Sequence, residues 1–171
     1  MGRLGIDDIE DLRGLGLDKG GRDGLVRTAS ECTVAFTSPS GWPSGVVMSF
    51  LYDRERFWLT AVRGRAHVTA VLADPRVTLV ISGAGTSLPR QMLAVAGTVT
   101  VHDDRATKAW FFPAFAARMA PADPQAFVRL LDSPNRVIFE VKPERITASH
   151  DSRKMPGDGR GGPRRNEESQ P

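Results

Sequence analysis

Between residues 76 and 82, Val77, Leu79 and Ile81 alternate with Thr78, Val80 and Ser82, the period-two signature of a half-buried strand. Similar short runs, each closed by turn-forming residues, recur along the chain. Residues 31–37 predict a first strand, and Ser38-Pro39-Ser40-Gly41 with Pro43 just beyond predicts a turn. A second strand over 45–52, a turn over 53–56 and a third strand over 57–61 follow. Connections this short imply an antiparallel meander. The period then changes: over 66–73 Ala66, Ala70 and Ala73 share one face and Val68, Val71 and Leu72 another, a helix ended by Asp74-Pro75.

The run over 76–82 is the fourth strand, and 91–102 is a longer fifth with Gly97 inside it, where a bulge would let a barrel curve. Asp103-Asp104 suits the positive end of a helix dipole, so a helix is expected over 103–119, interrupted at Pro113. A further helix over 124–131 and a last strand over 137–146 complete the pattern. Residues 31–150 thus predict a mainly β, α+β domain: a six-stranded antiparallel barrel with peripheral helices. Residues 1–30 are punctuated by Gly14, Gly16, Gly20, Gly21 and Gly24, with a short helix expected over 6–15. Residues 151–171 hold one large apolar side chain, Met155, and are expected to be a disordered tail.

Composition narrows the chemistry. The 171 residues are 40% apolar and 25% charged, an ordinary globular balance. The net charge of +3 comes with no dense basic run on a periodic element, so nucleic acid is not an expected partner. A single cysteine excludes an internal disulfide framework, and Cys32 within a predicted strand reads as a small core residue. The acidic start (Asp7, Asp8, Glu10, Asp11) and the lack of a long apolar run predict a cytoplasmic protein without a membrane span.

Several catalytic classes drop out. There is no phosphate-binding loop ending in Gly-Lys-Ser/Thr, and Gly14-Leu15-Gly16 has no strand before it. His67, His102 and His150 lie far apart without carboxylates at metal-ligand spacing, so no metal site is expected. No nucleophile elbow is present, and no side chain is expected to act as catalytic acid, base or nucleophile.

Residues 60–67 carry the strongest chemical signal. A strand ends at Leu59-Thr60, and Ala61-Val62-Arg63-Gly64-Arg65 leads directly into a helix. A hydroxyl, two guanidinium groups, a histidine and the open amides of a helix N-terminus fall within about eight residues, a combination suited to phosphate. The aromatic group Trp110, Phe111, Phe112 and Phe115 reads as core or dimer packing, or alternatively as a wall over a bound ring.

An ordered set of short motifs runs through the same region: Gly41-Trp42-Pro43, Phe57-Trp58-Leu59-Thr60, Arg65-Ala66-His67 and Ala73-Asp74-Pro75-Arg76-Val77. Leu88-Pro89-Arg90-Gln91-Met92, with Val95 and Gly97, and Val141-Lys142-Pro143-Glu144-Arg145-Ile146 continue it. Together they resemble the pyridoxamine 5′-phosphate oxidase-like, FMN-binding split-barrel superfamily. The resemblance implies a homodimer with FMN in a groove at the subunit interface, acting on a small-molecule substrate. It places the phosphate at Thr60, Ala61, Arg63, Arg65 and His67, and the ring along Val46, Val47, Met48 and Ser49, with Gln91 at the ring's polar edge. Two departures change the expected chemistry. Histidine stands at 67 where the oxidases carry lysine, and Ser44 and Ser49 stand where they carry basic residues, so oxidation of pyridoxamine phosphate itself is not expected. Gly64-Arg65-Ala66 and Asp74-Pro75-Arg76-Val77 also resemble reductases that use the deazaflavin coenzyme F420. A non-enzymatic flavin- or haem-binding protein, with His67 or His102 on the iron, is a third expectation.

Overall fold

Strands with one apolar and one polar face must bury the apolar face, and here six of them do so by closing on one another. The computed structural model describes residues 14–88 and 90–155. Its elements are α1 (Lys19–Thr28), β1 (Glu31–Thr37), β2 (Pro43–Asp53), β3 (Arg56–Val62), α2 (Ala66–Ala73), β4 (Arg76–Ser82), β5 (Gln91–His102), α3 (Arg105–Met119), α4 (Pro124–Leu131) and β6 (Arg136–Asp151). A 3₁₀ turn, Ser152–Lys154, follows β6. The strands are ordered β1-β2-β3-β6-β5-β4 around a closed barrel, and each neighbouring pair is antiparallel. Pairing of β4 with β1, in register Val34↔Leu79, closes the ring and leaves no long open edge. This is the six-stranded antiparallel barrel with peripheral helices that the pattern predicts. Among the described residues no helix is long and apolar enough to cross a membrane.

Two apolar clusters hold the barrel and its helices. Inside, Val34, Phe50, Leu59, Leu79, Ile81 and Phe139 are each at most 1% exposed. Outside, Trp58 of β3 and Ile138 of β6 meet Phe111, Phe112 and Phe115 of α3 and Leu131 of α4. Because β3 and β6 are covered on both faces, Phe57-Trp58-Leu59 and Val137-Ile138-Phe139 are buried without alternation. The α3–α4 pair thereby becomes a fixed wall beside β3. Helix α3 runs unbroken through Pro113, not interrupted there as the sequence predicts, and it starts at Arg105 with Asp104 as its cap. Proline removes one amide bond from the helix, but Phe112 and Phe115 on either side are buried and hold the two halves in line.

The N-terminal region departs from the sequence pattern. The helix expected over 6–15 falls almost wholly outside the described residues, and Gly14 and Leu15 are not helical. Helix α1 forms instead, across glycines at 20, 21 and 24, each of which costs a helix interior about 1 kcal/mol. A local cap and long-range contacts compensate. Leu25 is fully buried, Asp18 accepts the Gly21 amide at 2.7 Å, and Arg118 of α3 donates to the carbonyls of Arg27 and Ala29 at 2.8 and 2.6 Å.

The C-terminal end is also longer than expected. Strand β6 continues past residue 146 to Asp151, which the pattern assigns to the tail. Asp151 is buried. Its carboxylate accepts from Gln91 Nε2 at 3.1 Å and from Arg153 Nη2 at 2.6 Å, and its amide donates to the Leu15 carbonyl at 2.7 Å. The Arg153 fork, helped by Gln91, holds this carboxyl well below the usual carboxylate range despite its burial. A carboxyl held low in the folded state contributes stability above about pH 4, and that contribution is lost as the pH falls further. Asp151→Asn should therefore lower stability at pH 7 by about 1–3 kcal/mol and flatten the acid limb, as read by urea unfolding between pH 3 and 7.

The β2–β3 hairpin turns on Arg54 and Glu55, whose φ values of 53° and 58° lie in the left-handed region. Neither is glycine, so the turn is strained. Arg54 recovers part of the cost by stacking 4.2 Å over the Trp110 ring, and Trp58 Nε1 donates to the Asp53 carbonyl at 3.0 Å. Glu55→Gly, which keeps the stack, should raise stability by about 0.5–1 kcal/mol in thermal unfolding.

Candidate functional site

The corner where β3 passes into α2 is built by three local features. Gly64 takes φ 92°, which lets the chain reverse between Arg63 and Arg65. The Arg65 amide closes the turn on the Val62 carbonyl at 3.2 Å. The Arg63 amide donates to the Asn135 carbonyl at 2.8 Å, tying the corner to the chain just before β6. Helix α2 then starts with Arg65 at its cap position and no side-chain cap. Its first amides are open to an acceptor from outside the helix.

A cleft of about 410 Å³ opens beside this corner. Its floor is Val46, Val47, Met48 and Ser49 of β2 with Thr60 and Ala61 of β3, and Arg65 and His67 stand at the α2 end. Phe115 of α3 with Phe127, Leu130 and Leu131 of α4 form an apolar wall, and Arg136 lies at the start of β6. Val47 and Leu130 are the exposed apolar rim, at 64% and 66%. Among the described residues no carboxylate lines the cleft. Arg65 and Arg136 have no acidic partner among the described residues. The cleft is therefore apolar along its length and cationic at one end.

The polar atoms there are unevenly satisfied. His67 lies between the Phe36 and Phe139 rings, at centroid distances of 6.5 and 6.1 Å, and its Nε2 is buried without a hydrogen-bond partner among the described residues. Burial, and then the nearby Arg65 charge, lower its pKa, so it is neutral at pH 7. Arg136 Nε is likewise buried without a partner, and burial lowers the pKa of its guanidinium. Thr60 is different: its hydroxyl already donates to the Val137 carbonyl at 3.0 Å. It can accept from a ligand but donates only by giving up that strand-to-strand bond.

Of the residues expected at a cofactor, Val46, Val47, Met48, Ser49, Thr60, Ala61, Arg65 and His67 gather at this one cleft. Arg63 and Gln91 do not. The Arg63 guanidinium turns away to Asp103 at 2.7 Å. Gln91 is buried on β5, where its side-chain amide is spent on Asp151. His102, the second histidine considered for haem, has Nε2 2.8 Å from Glu140 and Nδ1 3.6 Å from Asp104, so both ring nitrogens face carboxylates. The aromatic run of α3 serves twice, since Phe115 belongs to the outer core and also walls the cleft. Arg136, Phe127 and Leu130 escape sequence reading. Arg136 reaches the cleft only because β6 pairs with β3 in the register Val62↔Arg136.

The residues fit a ligand with a flat apolar body and an anionic end. Val46, Val47 and the α3–α4 wall suit the body, while Arg65, Arg136, His67 Nε2 and the open start of α2 suit the anion.

Comparison with known proteins is consistent with this geometry. A family model described as pyridoxamine 5′-phosphate oxidase matches residues 23–150. No curated protein matches the sequence. Among solved structures, a conserved hypothetical protein from Mycobacterium tuberculosis is 15% identical with a TM-score of 0.69, over 81% of this chain and 88% of that one. An F420 reductase is 23% identical with a TM-score of 0.57, over 73% and 94%. The haem storage protein HutZ from Vibrio cholerae is 13% identical with a TM-score of 0.61, over 78% and 93%. At these identities the likeness is one of fold.

Proposed function

Because the chain belongs to the pyridoxamine 5′-phosphate oxidase family, we propose that it is a flavin-binding oxidoreductase whose FMN lies in the β2–β3–α2 cleft of a homodimer. The observation that carries this reading is the asymmetry of the cleft: at one end two arginines and a histidine nitrogen that, among the described residues, have no acidic or hydrogen-bonding partner, and along the rest apolar strand and helix surface. FMN, when bound, supplies hydride or electron transfer to or from a small organic substrate. The chain's own residues bind and orient. Arg65 and the first amides of α2 hold the phosphate, and neutral His67 offers a single donor rather than a second full charge. Val46 to Ser49 would line the ring, and Phe115, Phe127 and Leu131 would exclude water beside it. Val47 and Leu130 are exposed in the single chain, and a second copy would cover them.

The F420 reductase on the same fold makes a deazaflavin the second reading. The absorbance of the purified protein separates the two, since FMN gives two near-ultraviolet and visible bands and a deazaflavin gives one. Micromolar binding of FMN in a titration is the expected result. Binding of the deazaflavin alone would replace the cofactor, and binding of neither would overturn the redox reading.

The haem storage protein is a weaker guide to this site. His102 has both ring nitrogens against carboxylates, and the unpartnered Nε2 of His67 is assigned to the anionic end of the ligand.

A further inference from the structure

Arg136 is an expensive residue where it stands. It opens β6, its Nε is buried, and no acceptor or carboxylate among the described residues meets that atom. A buried Nε without an acceptor lowers the stability of the fold, and an apolar side chain would avoid that cost. Its backbone is spoken for by the Ser133 carbonyl at 3.1 Å and by the pairing with Val62, so the strand does not need arginine's side chain to form. That same pairing sets Arg136 beside the end of β3, three residues before Arg65, on the cationic end of the cleft.

We propose that Arg136 is a second phosphate-binding residue, acting with Arg65 so that two guanidiniums match the two charges of a phosphate monoester. This rests on the reading of the cleft as a flavin-phosphate site and adds the class of anion it prefers. A phosphate monoester is close to a dianion at pH 7, whereas a phosphodiester carries one charge. With His67 neutral, Arg65 alone would leave one of the monoester's charges uncompensated. Arg136 supplies the missing charge and, with it, the fork geometry that lysine lacks.

The test uses the full chain and two probes. In the first arm inorganic phosphate is added at constant ionic strength and thermal unfolding is followed. The wild-type midpoint should rise, and the rise should fall by at least half in Arg136→Gln, with Arg136→Lys in between. In the second arm the dissociation constants of FMN and riboflavin are measured. Arg136→Gln should weaken FMN by about 10-fold and leave riboflavin within about 2-fold, the contrast of a lost charge-assisted contact. Equal weakening of both flavins, or an unchanged FMN constant, would overturn the assignment while leaving the flavin reading in place. Should the wild type bind no flavin yet gain stability from phosphate through Arg136, the cofactor reading falls and the anion site stands. A phosphate response identical in wild type and variants overturns the proposal outright.

Discussion

Gly97→Ala should destabilise the barrel by about 3 kcal/mol, lowering the thermal midpoint by about 10 °C. A Cβ built at this position would lie 2.5 Å from the Lys142 carbonyl oxygen and 3.0 Å from Val141 Cγ1. The first contact is with backbone, which cannot swing aside as the end of a side chain can. Strand β5 is also held on both flanks, by β4 and by β6, so a shift at residue 97 has to move three strands. The register between β5 and β6 slips at Ala96/Gly97, the bulge that bends the strand as the barrel closes. Urea unfolding checks the figure. A loss below about 1 kcal/mol would mean that the two strands part more easily than the geometry implies.

Arg65→Ala should have the opposite profile, with a large effect on ligand and a small one on fold. Arg65 is exposed, forms no ion pair among the described residues and caps α2 only through its backbone. Its removal therefore leaves folding within about 0.5 kcal/mol, as for most surface changes. FMN affinity should drop by about 10- to 100-fold, the 1–3 kcal/mol of a charge-assisted contact to phosphate. Fluorescence titration gives the dissociation constant, and thermal unfolding of the same sample confirms that the fold is intact. An unchanged constant would remove Arg65 from the site.

What could be read from the sequence follows from how local each signal is. The alternation at β4, the Asp74-Pro75 stop after α2 and the glycine inside β5 are self-contained, and these elements form where the pattern puts them. The β3–α2 corner is legible for the same reason, since Gly64, Arg65 and His67 are neighbours in the chain. Helix α1 was hidden because its glycines weaken the local signal and burial of Leu25 supplies the compensation. The end of β6 was hidden because Asp151 looks like a tail residue until Gln91, sixty positions earlier, is brought opposite it. Arg136 is the clearest case. Nothing around it in sequence marks it, and only the β3–β6 register carries it to the cleft. Gln91 shows the converse: its neighbours in sequence do not reveal the buried carboxylate of Asp151 that its side-chain amide meets.

Riboflavin differs from FMN only in lacking the phosphate, so the ratio of their affinities isolates what the α2 corner contributes. Calorimetric titration of the wild-type protein with each should show FMN bound at least about 100-fold more tightly, about 2.7 kcal/mol. Equal affinity for the two, or riboflavin bound more tightly, would contradict a phosphate held between Arg65 and the start of α2.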